Sequence, residues 1–165
     1  VQRQPFLCAG RAQPATADDV SPLQFVACGQ VLPGHSVRLV DTAGIEVGER
    51  IEGRLQFKGP SATRGYYRDP RQTRHLFAGD WLDSGDRAYR AGGDFYLTGR
   101  VKDIIQRGGR NLYPHEIEEV VGQLTGIRRG CVAAFGCLDH KSGTERLVVL
   151  AERRPRPACG GTLPG

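Results

Sequence analysis

Asp86 closes the run Trp81-Leu82-Asp83-Ser84-Gly85-Asp86. A carboxylate held just after a glycine can accept hydrogen bonds from two vicinal sugar hydroxyls. Arg100 follows the strand-like stretch Tyr96-Leu97-Thr98-Gly99. Its guanidinium, planar and always charged, suits sugar oxygens and phosphate. Lys102 and Asp103 come next, and then Gly108-Gly109, where backbone without a Cβ lets a ligand approach closely. Each feature has a plainer reading, and taken singly the plainer one is stronger. Asp86 reads as a turn residue capping local amides, and Arg100 as a surface ion pair worth about 0–1 kcal/mol. Lys102 and Asp103 read as the polar phase of a strand, and the glycines as an ordinary turn. His35, His75, His115 and His140 lie far apart, and no H-E-x-x-H, G-x-S-x-G, G-x-G-x-x-G or G-K-[ST] motif occurs. Neither a histidine metal site nor a serine triad is expected.

The elements that must position these residues are short strands followed by β-α-β. Residues 1–24 show no sustained period and read as an irregular lead-in from an upstream domain. Ser36–Val40, a turn at Asp41-Thr42-Ala43-Gly44, and Ile45–Val47 make a hairpin pattern. Gly53–Gly59 alternates again and stops at Pro60. Asp69-Pro70 opens a short helix with Thr73, Leu76 and Phe77 facing inward. Arg87–Arg90 and Asp94–Thr98 flank the turn Ala91-Gly92-Gly93 in another hairpin, and Val101–Ile105 continues apolar, with charge at Lys102 and Asp103. Pro114–Leu124 is the clearest helix, with Ile117, Val120, Val121 and Leu124 on one apolar face and glutamates near its positive end. Gly130–Phe135 and Arg146–Ala151 are apolar strands around a polar loop, Asp139–Glu145. The period changes between Arg100 and Gly109, which places a domain boundary there. The expected fold class is mixed α+β: a small antiparallel β-barrel-like subdomain over 25–100, a hinge, and a truncated α+β C-terminal domain over 101–152. Residues 153–165 form a tail without a core-forming pattern, expected to be disordered.

Composition narrows the classes of function. The chain has 165 residues, 39% hydrophobic and 25% charged, which fits a globular protein. Its net charge is +5, but the arginines are scattered and Lys58, Lys102 and Lys141 are the only lysines. No nucleic-acid-binding motif accompanies that charge, so no nucleic-acid partner is expected. No apolar run approaches the ~18 residues that span a bilayer. The five cysteines, Cys8, Cys28, Cys131, Cys137 and Cys159, contain no C-x-x-C pair and so no zinc spacing. Cys131 and Cys137 read as small buried hydrophobes, and a reducing cytoplasm is the expected location. There is no methionine, even at position 1. The chain therefore reads as a piece of a longer protein.

The ordered string is more specific than its parts. Gly65-Tyr66-Tyr67, Thr73, Phe77, Asp80-Trp81-Leu82, Ser84-Gly85-Asp86, Gly93, Tyr96–Arg100, Lys102–Ile105, Gly108-Gly109, Asn111, Tyr113-Pro114 and Glu116-Ile117-Glu118 together resemble the adenylate-forming superfamily. The resemblance covers roughly Cys28 to Glu152. Arg110–Pro114 and Gly143–Val149 are similar to the fatty-acyl-AMP ligase and long-chain fatty-acid–CoA ligase branch.

The resemblance implies an enzyme in which a carboxylate attacks the α-phosphate of Mg-ATP, giving acyl-AMP and pyrophosphate, and a thiol of CoA or a phosphopantetheine carrier protein then displaces AMP. It implies that Asp86 and Arg100 bind the ATP ribose and that Leu97 lines the adenosine pocket. Lys102 matches the hinge about which the C-terminal domain swings between half-reactions. Gly109 matches the glycine beside the pantetheine thiol channel. Three family features are missing: the Ser/Thr/Gly phosphate loop, the Tyr-Gly-x-Thr-Glu motif whose glutamate holds Mg2+, and the catalytic lysine, since no lysine follows Lys141. The isolated chain is therefore expected to be inactive. A non-catalytic remnant or interaction module, and an aryl-acid or amino-acid adenylation domain, are the alternatives.

Overall fold

The alternating stretches become strands of one curled antiparallel sheet in the computed structural model, which describes residues 1–139 and 144–154. β1 (Ser36–Val40) pairs with β2 (Gly53–Lys58), Leu39 lying opposite Leu55. The turn after β1 is closed by Asp41, whose Oδ1 accepts from the amides of Ala43 at 2.8 Å and Ile45 at 2.9 Å. A short side chain that can satisfy two turn amides is why Asp suits this position. β2 pairs in turn with the long β4 (Trp81–Ala91). Along the other side of β4 lie β3 (Phe77–Ala78) and β5 (Asp94–Arg100). Before β3, helix α2 (Pro70–Leu76) is capped by Asp69, whose Oδ1 accepts from the Gln72 amide at 2.9 Å. Thr73, Leu76 and Phe77 are each half-buried, as their spacing predicts.

After β5 the chain makes a two-stranded hairpin, β6 (Ile105–Arg107) with β7 (Arg110–Leu112). Helix α3 (Pro114–Gly122) follows and packs on a ribbon of β8 (Ile127–Asp139) and β9 (Thr144–Arg153). The fold class is thus mixed α+β, with a curled antiparallel sheet and few helices. No helix among the described residues is long and apolar enough to cross a membrane.

The lead-in is irregular only in part. Residues Arg3–Ala9 form a helix, α1, ended by Gly10 at φ 62°, whose amide bonds the Phe6 carbonyl at 2.8 Å. Phe6 is fully buried and meets the rings of Phe25 at 5.0 Å and Tyr113 at 5.8 Å. Seven residues are too few to show a helical period, and burial of one aromatic ring holds the helix in place. Val101–Ile104 forms no strand. Asp103 and Ile104 donate their amides back to the Arg100 carbonyl at 3.0 and 3.1 Å, so the chain turns before β6 begins.

The apolar face of α3 is only partly covered. Val120 is 65% and Leu124 58% exposed, because the helix turns buried Gly122 toward Val132 of β8. Cys137 is exposed and Cys131 half-buried, because the β8–β9 ribbon is a single layer in which Ala134 is the one buried residue of β8. Arg153, expected in the tail, ends β9 opposite Ile127, and the Arg154 amide bonds the Gly126 carbonyl at 2.8 Å. Thr144 and Glu145, expected in a loop, pair with Asp139 and Leu138. The rest of that loop, the tail from residue 155, and Cys159 lie outside the described residues.

Candidate functional site

Asp86 is delivered by a bulge. Gln56 pairs with Asp83 and Arg54 with Arg87, so Leu55 alone faces Ser84, Gly85 and Asp86 on β4. The expected tight turn is therefore an irregularity within a continuous strand. Extra residues on one strand bend it and re-aim its side chains. Gly85 sits at φ 76°, a conformation costly for residues with a Cβ. The bulge is held by three local bonds: the Gly85 amide to Asp83 Oδ1 at 2.9 Å, the Ser84 hydroxyl to the Leu55 carbonyl at 3.0 Å, and the Asp86 amide to Ser84 Oγ at 3.0 Å. The run Asp-Ser-Gly-Asp is the chemistry of that bulge, with Asp86 at its exit.

Asp86 lies directly opposite Arg100 across β4 and β5. The guanidinium Nε stands 3.5 Å from Asp86 Oδ1, with the Arg100 side chain 64% and the Asp86 side chain 27% exposed. The two charges are neighbours without a tight bond, so the carboxylate oxygens and most guanidinium donors stay open to a third group. Vicinal hydroxyls would fit between an acceptor and a fork of donors. Leu97 lies on β5 opposite Ala88 and is 44% exposed.

The chain leaves this pair through the turn carrying Lys102, which is exposed. Arg100 and Lys102 edge a recess of about 350 Å³ that also involves Tyr113, Phe135 and Glu145. Gly109 lies elsewhere, at the tip of the β6–β7 hairpin. Gly108 and Gly109 stand at φ 58° and 73°, the positive values that a two-residue hairpin turn of the primed type requires. They line a second recess of about 460 Å³ with Gln106, Asn111, Leu138 and Glu145. Glu145 borders both recesses and accepts the Gln106 amide on Oε2 at 2.6 Å. The structure thus brings Asp86, Arg100 and Lys102 into sequence at one place and sets Gly109 apart. Among the described residues no group of three or more His, Cys, Asp or Glu side chains is placed to hold a metal ion.

One residue of this region escaped the sequence reading. Glu52 has a fully buried side chain. Its Oε2 accepts from Arg87 Nε at 2.9 Å and forms an ion pair with Arg87 Nη2 at 2.8 Å. Its Oε1 receives the Thr98 hydroxyl and the Tyr113 hydroxyl, the latter at 2.8 Å. A second bulge explains Thr98: Arg87 pairs with Gly99 and Ala88 with Leu97, which turns Thr98 into the core. Burial, reinforced by the Glu52 charge, pushes the Tyr113 phenol well above the ordinary tyrosine range. Nothing in the local sequence around Glu52 separates it from a surface glutamate.

No family model matches the chain. Individual proteins do. The chain is 30% identical over 163 residues to the long-chain-fatty-acid–AMP ligase FadD26 of Mycobacterium tuberculosis, covering 91% of this chain and 27% of that protein. A medium/long-chain-fatty-acid–CoA ligase of the same organism, FadD8, is 33% identical over 131 residues, covering 79% and 23%. A solved structure from work on fatty acyl-adenylate ligases of E. coli and L. pneumophila superposes with a TM-score of 0.81 at 34% identity, over 94% of this chain and 27% of that one. This chain belongs to the adenylate-forming ligase superfamily. It spans about a quarter of the length of these relatives. A solved structure of McyG A-PCP complexed with phenylalanyl-adenylate superposes with a TM-score of 0.73 at 33% identity, over 83% of this chain and 25% of that one.

Proposed function

We propose that the chain is the hinge-bearing segment of an ATP-dependent ligase that activates a fatty acid as acyl-AMP and passes the acyl group to a thiol. The Asp86–Arg100 pair carries this reading. Its carboxylate would accept the two ribose hydroxyls, and its guanidinium would lie along the sugar toward the phosphate. ATP supplies the leaving group: once the acid holds AMP, a thiol displaces it far more easily than oxide. Arg100 leads directly into Lys102, so a swing at that turn would exchange the groups facing the acyl-adenylate while the ribose stays clamped. Gly109 would then border the path of a pantetheine thiol from CoA or a carrier protein. Residues 25–100 would stay with the nucleotide and 101–152 would move.

A chimera tests this. Residues 28–152 would replace the matching segment of the FadD26 ligase, and pyrophosphate–ATP exchange would be followed with fatty, aryl and amino acids. Exchange with fatty acids is expected, while the 165-residue chain alone should give none. Asp86→Ala in the chimera should raise the KM for ATP at least about tenfold, as the loss of hydrogen bonds to a charged group implies. Gly109→Val should spare exchange and slow thiol transfer. An Asp86→Ala chimera with unchanged ATP dependence would remove the clamp from the proposal.

A further inference from the structure

Glu52 joins three parts of the chain that are distant in sequence: Arg87 on β4, Thr98 on β5, and Tyr113 beyond the Lys102 turn. Two of these partners precede Lys102 and one follows it. Tyr113 is 1% exposed and sits among Phe6, Phe25 and Tyr89. We infer that Glu52 is a positioning residue whose bond to the Tyr113 hydroxyl latches the segment after Lys102 onto the first sheet.

The arrangement suits a latch that opens. A buried carboxylate stripped of its partners is strongly disfavoured. Glu52 would not be stripped when Tyr113 leaves, because Arg87 keeps its hydrogen bond and ion pair to Oε2 and Thr98 keeps its bond to Oε1. Release therefore gives up one charge-assisted bond without leaving an unpaired charge. A second tie crosses the same boundary: Arg3 donates to both oxygens of Glu116, at 2.9 and 3.3 Å, from half-buried positions outside the core. Ile104 and Ile105 are buried as well, so the docked state has an apolar component that the hydroxyl bond orients. Any swing about Lys102 must break the Tyr113–Glu52 bond, or else must pivot beyond Tyr113. That consequence rests on the hinge reading above, whereas the latch itself does not.

Amide hydrogen exchange on the 165-residue chain tests the latch without any assay of ligase activity. Tyr113→Phe removes the hydroxyl and keeps the ring. It should speed exchange of residues 104–122 about tenfold and leave β1 and β2 unchanged, the size expected for one bond to a charged group. Thr98→Val removes the other bond to the same oxygen on the sheet side, and it should leave residues 104–122 at the wild-type rate. Equal rates in Tyr113→Phe and wild type would overturn the latch. So would equal acceleration by Thr98→Val, or acceleration spread evenly through β1 and β2, since either marks Glu52 as general core support. Thermal melts of both variants confirm that they are folded. If the exchange pattern holds while ATP dependence in the chimera is indifferent to Asp86, the latch stands and the ribose clamp falls.

Discussion

Single residues in this protein take their chemistry from neighbours that the sequence does not adjoin. Asp86 leaves the strand's regular register because Ser84 and Gly85 bulge it, and it meets Arg100 because β5 returns beside β4. Tyr113 behaves unlike a solvated phenol for the same reason. Burial holds its hydroxyl protonated, the Glu52 charge adds to the effect, and burial also raises Tyr89, which stacks on Tyr96 at 4.8 Å. The sign of the resulting pH dependence is fixed. Below the unfolded value near ~10, folded and unfolded chains both hold the proton and no stability is lost. Above it the unfolded chain releases protons that the folded chain keeps, so stability should fall by up to about 1.4 kcal/mol per pH unit for each such group. Urea denaturation at a series of alkaline pH values should show this fall, and Tyr113→Phe should make it shallower. An unchanged slope in Tyr113→Phe would place the titration elsewhere.

At the scale of elements, the structure separates helices that need their neighbours from those that do not. α2 carries its own start signals, Asp69 and Pro70, and is legible from them. α1 has no such signal except Gly10, and it exists because Phe6 is buried. α3 carries Gly122 as its last residue, facing β8. A Cβ placed there would lie 4.0 Å from Val132 Cγ2, ordinary contact with room to spare, and the glycine is not at positive φ. Gly122→Ala should therefore stabilise the protein, by up to about 1 kcal/mol from helix propensity, read as a higher denaturation midpoint. A lower midpoint would show that α3 packs on the ribbon more tightly than this distance indicates. The Gly108-Gly109 turn is the opposite case. Both residues stand at positive φ, so Gly109→Val should distort the hairpin whatever else it does to a thiol path.

At the scale of the molecule, the main core joins the lead-in, the sheet and the segment after Lys102. Phe6, Ala12, Leu23, Tyr89, Ala91, Ile104 and Tyr113 form one buried cluster. Deleting its central ring, Phe6→Ala, should cost about 3–5 kcal/mol. Because Phe6 touches both Phe25 and Tyr113, the loss should also loosen the region after Lys102. Denaturant unfolding together with hydrogen exchange of α3 checks both effects, and a loss confined to α1 would mean that the lead-in is an independent appendage.

The sequence by itself determined the strands β1, β2 and β5, helix α2, the start of α3, and the family, because each is written in local periods, turn residues and an ordered motif. It also picked out Asp86, Arg100, Lys102 and Gly109 as positions worth attention. Only the tertiary structure decided that Asp86 and Arg100 face one another, that Gly109 lies in a different recess, and that Val120 and Leu124 stay exposed. It alone made Glu52 a buried carboxylate with partners 35, 46 and 61 residues away. The physical reason is the range of the information. A turn or a cap is set by residues within a few positions, whereas burial and charge pairing depend on which strands the bulges at Ser84–Asp86 and Thr98 bring together.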